Sequence, residues 1–373
     1  MPAIASLRFS CKHRVAWIAG KPAPTKGFIN TFNTATTPEE PRSFEAPPVH
    51  PTLSTAIMST KNLINCPDWA TALLNGFSQV LLQRHPLCGL FCLLAILFTA
   101  PDLFGGALLG ALAGLLTAQR RGYDRGDRQA GLYSYNGVLI GLLLCAKLPW
   151  TAILPPLIIA ASGLSSILVH QWLKRSQKTH SLPAYTAPFV LLGWAVLELA
   201  QPAGASAMAE ADGNALFGLV EGLGQIFLLG HPLAGFMIAI GLLLANRHAA
   251  CWALAGSAAG IGFALLLGEP ANLAFSGLHG YNPALAALAF SQLKRQPWMP
   301  ALAIVLAIVL TPGFNSLPIP ALTAPFILAC WLLHACSRVL RRAADDSAPL
   351  NGCGSDPGRE GLPGSPASLS HNG

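Results

Sequence analysis

The chain carries the same string of motifs twice. FSQVLLQRHPLCGLF at 77–91 is answered by LGQIFLLGHPLAGF at 223–236, and LYSYNGVLIGLLL at 132–144 by LHGYNPALAALAF at 278–290. Gln79 and Gln225, Pro86 and Pro232, and Asn136 and Asn282 all stand 146 residues apart. A third pair, LPAYTAPF at 182–189 and IPALTAPF at 319–326, stands 137 apart. Duplication in a very apolar chain predicts a membrane protein of two similar halves. Such proteins commonly place their binding path between the halves.

Charged residues make up 10% of the chain and hydrophobic ones 53%. A soluble domain carries about 25% charged residues, so too little polar surface exists here for one. The net charge of +7 does not call for nucleic acid. Its basic residues fall between apolar segments and in the tails, where they orient a chain in a bilayer. Six of the nine cysteines (Cys88, Cys92, Cys145, Cys251, Cys330, Cys336) lie in apolar segments without metal-ligand spacing. They read as small hydrophobic fillers. No cofactor motif is present.

Residues 1–65 read as a disordered extension or a mis-assigned start, with Met58 the more natural beginning and no signal-peptide pattern before it. Residues 343–373, rich in Gly, Ser, Pro and Asp, read as a disordered tail. Between them lie a first repeat, 66–205, and a second, 206–342. Apolar segments fall near 70–83, 86–100, 103–118, 131–148, 151–173 and 187–203, then near 216–229, 231–245, 250–267, 277–292, 299–311 and 322–340. Several are shorter than the roughly 20 residues a spanning helix needs. Segments 70–83 and 216–229 are expected to be re-entrant.

Five crossings per half would invert the second half relative to the first. With both termini cytoplasmic, Arg120, Arg121, Arg125, Arg128, Lys174, Arg175, Lys178, Arg247, Lys294, Arg295, Arg338, Arg341 and Arg342 then share the cytoplasmic side. Asp102, Glu210, Asp212 and Glu269 take the other side, and only Lys147 leans the wrong way. The expected fold is all-α and polytopic: two inverted repeats, about ten crossing helices and two re-entrant pore helices. The chain is expected in the cell membrane, the inner membrane if bacterial.

No catalytic constellation or metal site is readable. His85 and His231 follow the glutamine segments and His279 lies in the GLHGYN turn, all without metal-like partners. Ser165 and Ser166 are expected to make helix–helix hydrogen bonds. Glu198 and Glu221 are the acids at membrane depth, functional candidates by default. No acid–base set repeats across the halves, which argues for a passive path for a neutral solute.

Three repeated sets remain. Gln79 and Gln225 sit in apolar contexts, where an unsatisfied amide costs a few kcal/mol. They are structural amides or the two mouths of a central path. Tyr135 with Leu139, and Tyr281 with Leu285, share a helix face at i, i+4. They are core packing or the walls of a flat slot. Thr186 and Thr323 each precede Ala-Pro-Phe, with Pro188 and Pro325 in the first helical turn. They are N-caps or a hydrogen-bonding station at the midpoint.

These motifs, in this order in both halves and over about residues 66–340, resemble the urea transporter family. The resemblance implies passive passage of urea through a homotrimer in which each protomer has its own pore. By motif position, Gln79 and Gln225 would mark the two mouths, with Leu82 and Leu228 flanking the solute. Tyr135, Leu139, Tyr281 and Leu285 would form the slot, and Thr186 and Thr323 its narrow middle. His85 and His231 depart from the family's usual Asn, Leu82 from a common Phe, Ser134 from Gly, and Tyr135 and Tyr281 from a frequent Phe. Urea is planar and neutral. Gln and Thr oxygens can accept its amide hydrogens once water is stripped, and apolar walls offer a hydrated ion nothing. A channel for related small amides or ammonia is the alternative. A membrane enzyme would need a catalytic cluster that cannot be read here.

Overall fold

The structure, a computed structural model, describes residues 68–179, 182–200, 214–293 and 296–346. Among these, the regular elements are all helices. The first half holds α1 (Asp68–Val80), α2 (Pro86–Thr99), α3 (Pro101–Arg120), α4 (Arg125–Gln129), α5 (Tyr135–Lys147), α6 (Leu154–Thr179) and α7 (Ala187–Ala200). The second holds α8 (Ala215–Gln225), α9 (Pro232–Ala245), α10 (Arg247–Leu266), α11 (Ala271–Ala274), α12 (Tyr281–Ser291), α13 (Trp298–Asn315) and α14 (Ala324–Asp346). The order of long and short helices repeats: α2 and α9 both have 14 residues, α3 and α10 both 20.

Among the described residues, four helices are long and apolar enough to cross a membrane: α3, α6 over Leu154–Ser176, α10 and α13. Helices α2, α5, α7 over Ala187–Leu199, α9 and the Ala324–Leu340 part of α14 are apolar over shorter stretches. At 1.5 Å per residue, α1 and α8, with 13 and 11 residues, are too short for a hydrocarbon core about 30 Å thick. Large apolar side chains such as Phe98, Ile153, Leu266, Val305 and Val309 are exposed, as lipid-facing surfaces require.

Local chemistry sets the helix starts. Pro86 and Pro232 occupy the first turns of α2 and α9, where a missing N–H does no harm. The preceding histidines are the caps. His85 Nδ1 accepts from the Cys88 N–H at 3.4 Å, and His231 Nδ1 from the Leu233 N–H at 3.1 Å. Asn246 caps α10 through the Ala249 N–H at 3.2 Å.

Glycine sets the closest packing. A Cβ on Gly110 of α3 would lie 2.0 Å from the Gly137 carbonyl oxygen of α5, and one on Gly141 1.9 Å from that of Gly106. In the second half, a Cβ on Gly260 of α10 would lie 2.1 Å from the His279 carbonyl oxygen. Helices α2 and α9 pack against each other and join the halves.

The backbone repeats at finer scale. Among the described residues, positive φ occurs at Leu82 (57°) and Leu228 (60°), Gly122 (65°) and Gly268 (81°), Gly131 (78°) and Gly277 (76°), and Tyr185 (42°) and Leu322 (45°). Each left-handed residue thus has its partner at the motif offset.

The chain divides into two compact units, Met1–Leu333 and His334–Gly373. Within the second, α14 continues to Asp346, and Ser337 Oγ donates to the His334 carbonyl at 3.0 Å. The helix therefore runs four residues into the range expected to be a disordered tail. The remaining tail, the extension over 1–65, the junction near 205, Glu210, Asp212, Lys294 and Arg295 lie outside the described residues.

One further expectation is corrected. Ser165 Oγ donates to the Ser162 carbonyl of its own helix at 2.7 Å, and Ser166 Oγ has no partner. Within a helix a serine hydroxyl can bond the carbonyl one turn back, and Ser165 does so.

Candidate functional site

The two TAPF motifs meet. The Thr186 and Thr323 hydroxyl oxygens lie 2.7 Å apart, both side chains buried, so one donates to the other. Neither is spent on capping, because the cap comes from elsewhere. Asn136 Oδ1 accepts the Phe189 N–H of α7 at 3.2 Å, and Asn282 Oδ1 accepts the Phe326 N–H of α14 at 3.4 Å. These N–H groups are among those a helix start leaves unpaired. Asparagines from α5 and α12 fill the capping role and leave the threonine hydroxyls for each other.

Immediately before each threonine the chain is left-handed, at Tyr185 and Leu322. That conformation costs an L-residue roughly 1–2 kcal/mol. Hydrogen bonds to the two carbonyls hold it. Tyr135 donates its hydroxyl to the Tyr185 carbonyl, and Tyr281 to the Leu322 carbonyl at 2.6 Å. Asn282 Nδ2 adds a second bond to the Leu322 carbonyl at 3.2 Å, whereas Asn136 Nδ2 is buried without a partner. Leu139 and Leu285, one turn beyond the tyrosines, are buried.

The glutamine motifs end α1 and α8 alike. The Leu82 N–H donates to the Gln79 carbonyl at 2.9 Å and the Leu228 N–H to the Gln225 carbonyl at 3.0 Å, with both leucines left-handed. Gln225 Nε2 donates to the Ser276 carbonyl at 3.1 Å, which leaves Oε1 as an acceptor. Gln79 is buried, and its amide has no hydrogen bond to the described residues. The structure thus joins the tyrosine, threonine and asparagine sets into one connected group and holds each glutamine beside its own leucine turn.

Sequence reasoning overlooks three residues. Trp194 Nε1 donates to the Pro320 carbonyl and Trp331 Nε1 to the Pro183 carbonyl, both at 2.8 Å. Donors and acceptors repeat at the 137-residue offset, a signal present in the sequence. Gln292 Nε2 donates to the Leu82 carbonyl at 3.1 Å across the halves, and no repeat marks it.

Of the two acids singled out, Glu198 is exposed and Glu221 is buried in α8 beside the Gly277 turn. No group of His, Cys, Asp and Glu suited to a metal ion occurs among the described residues.

The Ovis aries protein urea transporter 1 is 28% identical over 295 residues, covering 71% of this chain and 75% of that protein. The Rattus norvegicus urea transporter 1 is 27% identical with the same coverage. The Mus musculus urea transporter 1 is 27% identical over 264 residues, covering 64% and 67%. The sequence profile of the family described as urea transporter matches residues 70–338, the whole stretch that carries the duplicated motifs and the paired threonines, so the chain belongs to the urea transporter family.

Proposed function

We propose that urea crosses passively between the two halves, past the contact of Thr186 with Thr323. The buried hydroxyl pair at the meeting of two repeated motifs carries this reading. Each hydroxyl can accept an amide hydrogen of urea and can donate to its carbonyl. A hydroxyl–hydroxyl bond is worth only about 1 kcal/mol net, so a solute that offers equivalent bonds can part the pair. Leu82, Leu139, Leu228 and Leu285, with the rings of Tyr135 and Tyr281, would form apolar walls against its flat faces. Gln79 and Gln225 would meet it at either end. No fixed charge lines this set, which suits a neutral solute that must leave as readily as it enters.

The matched left-handed residues and reciprocal tryptophan bonds support a twofold relation between the halves. Distribution of the arginines and lysines supports inverted repeats with cytoplasmic termini in the cell membrane. Family resemblance supports a homotrimer with one pore per protomer. Urea efflux from proteoliposomes, followed by light scattering, tests the proposal. Wild-type vesicles are expected to relax much faster than empty ones. Equal rates would overturn it.

A further inference from the structure

The two halves also differ between two long helices of each: α3 and α6 in the first, α10 and α13 in the second. In the first half, Tyr123, Tyr133 and His170 fill the space between α3 and α6. The Tyr123 and His170 rings stack with centroids 3.8 Å apart and planes 3° from parallel. The Tyr133 hydroxyl hydrogen-bonds with His170 Nδ1 at 3.3 Å. At the motif offset, Glu269 stands where Tyr123 does and His279 where Tyr133 does. Helices α10 and α13 pack far less closely than α3 and α6. A cavity of about 370 Å³ results, lined by Phe263, Glu269, His279, Thr311, Asn315 and Ser316 among others. It adjoins an apolar groove of about 330 Å³ that shares Phe263 and Ile308 and continues along Gly262, Leu266, Val305 and Val309.

The polar end is rich in acceptors. The Thr311 hydroxyl proton goes to the Ala307 carbonyl and that of Ser316 to the Gly313 carbonyl, each at 2.8 Å. Only their lone pairs face a ligand. Burial holds the His279 imidazole below its ordinary pKa even with the Glu269 carboxylate beside it, so a ring nitrogen is a further acceptor at neutral pH. Glu269 supplies a negative charge. A ligand matching this end is a cation with several N–H donors, and one matching the groove carries an apolar chain.

We infer that the cleft between α10 and α13 binds an aminophospholipid, with the primary ammonium of an ethanolamine headgroup at Glu269, Thr311 and Ser316 and an acyl chain in the groove. Asn315 N–H groups can donate to the phosphate. Glu269 gives an ammonium a partner of opposite charge, where a glycerol headgroup offers only neutral hydroxyl donors, and choline lacks the N–H groups to satisfy the acceptors.

Thermal unfolding of the delipidated protein in detergent, with added phosphatidylethanolamine, phosphatidylcholine or phosphatidylglycerol of identical chains, tests this. Ethanolamine lipid is expected to raise the midpoint by about 4 °C or more, as a ligand selective for the folded state does, and the others by less than half as much. Glu269→Gln should remove the ethanolamine advantage, and Glu269→Tyr, which restores the first-half residue, should do the same. Both variants should keep wild-type urea flux in phosphatidylcholine vesicles. Gly262→Trp, which fills the groove, should abolish stabilisation by all three lipids. Equal shifts from the three lipids, or an ethanolamine advantage retained in Glu269→Gln, would overturn the inference. So would loss of an oligomer by light scattering in Gly262→Trp with unchanged lipid dependence, which would assign the cleft to a second copy of the chain.

Discussion

Trp194 and Trp331 exchange places in one another's half: each indole N–H reaches a proline carbonyl just upstream of the opposite TAPF motif, at 2.8 Å in both directions. These bonds anchor the segments that carry Thr186 and Thr323. Phenylalanine at either position keeps most of the ring and removes the donor. Trp331→Phe and Trp194→Phe are each expected to lower stability by about 1–2 kcal/mol, the loss of one hydrogen bond with its acceptor left unpaired. Unfolding midpoints in detergent check this. Unequal losses beyond a factor of about 2–3, the usual context dependence of such bonds, would show that the two bonds are not equivalent.

At the hydroxyl pair, Thr186→Val and Thr323→Val keep shape and remove one partner. If urea exchanges its own bonds for the threonine bond, losing one hydroxyl should slow flux about tenfold, or roughly 1.4 kcal/mol of barrier. Stability should fall by about 1 kcal/mol or less. Thr323→Leu should block flux through size alone. Proteoliposome efflux and unfolding midpoints, measured on the same preparations, separate transport from folding.

Much of this arrangement is legible in the sequence. Apolar content and duplication give a helical membrane protein of two halves, and Thr186 and Thr323 stand out by their offset. The threonine geometry is not legible, because a Thr before Ala-Pro-Phe fits an N-cap equally well. What decides is the distant Asn136 and Asn282, whose amides take over the cap. Left-handed Leu82, Leu228, Tyr185 and Leu322 are invisible for another reason. Leucine and tyrosine have no preference for positive φ: tertiary hydrogen bonds hold it at Tyr185 and Leu322, and the bonds that close the ends of α1 and α8 hold it at Leu82 and Leu228. The end of α14 escapes a compositional reading because a polar, small-residue tail can still extend a helix by a turn.

Those asparagines differ in one bond, and the difference can be measured. Asn136 accepts from Phe189 and leaves its Nδ2 without a partner, while Asn282 accepts from Phe326 and also donates to Leu322. Replacement by leucine removes one bond at position 136 and two at 282. Asn282→Leu is therefore expected to destabilise by about 1 kcal/mol more than Asn136→Leu. Chemical denaturation of the two variants checks the order, and a reversed order would contradict these partners.

Glycine contacts give the largest contrast. A methyl group on Gly110 would lie 2.0 Å from a backbone oxygen of α5, and one on Gly137 2.2 Å from a backbone oxygen of α3. Neither oxygen is on a flexible side chain, so the helices themselves must part. Gly110→Ala is expected to destabilise by more than about 3 kcal/mol, beyond ordinary overpacking, and to reduce yield of folded protein. At Gly313, near the end of α13, an added methyl group would meet no atom within 4 Å. Gly313→Ala should be neutral or stabilising by up to about 1 kcal/mol, through the backbone entropy glycine loses on folding. Folded yield by size-exclusion chromatography and unfolding midpoints read both effects. Similar behaviour of the two variants would mean that α3 and α5 do not meet through their backbones.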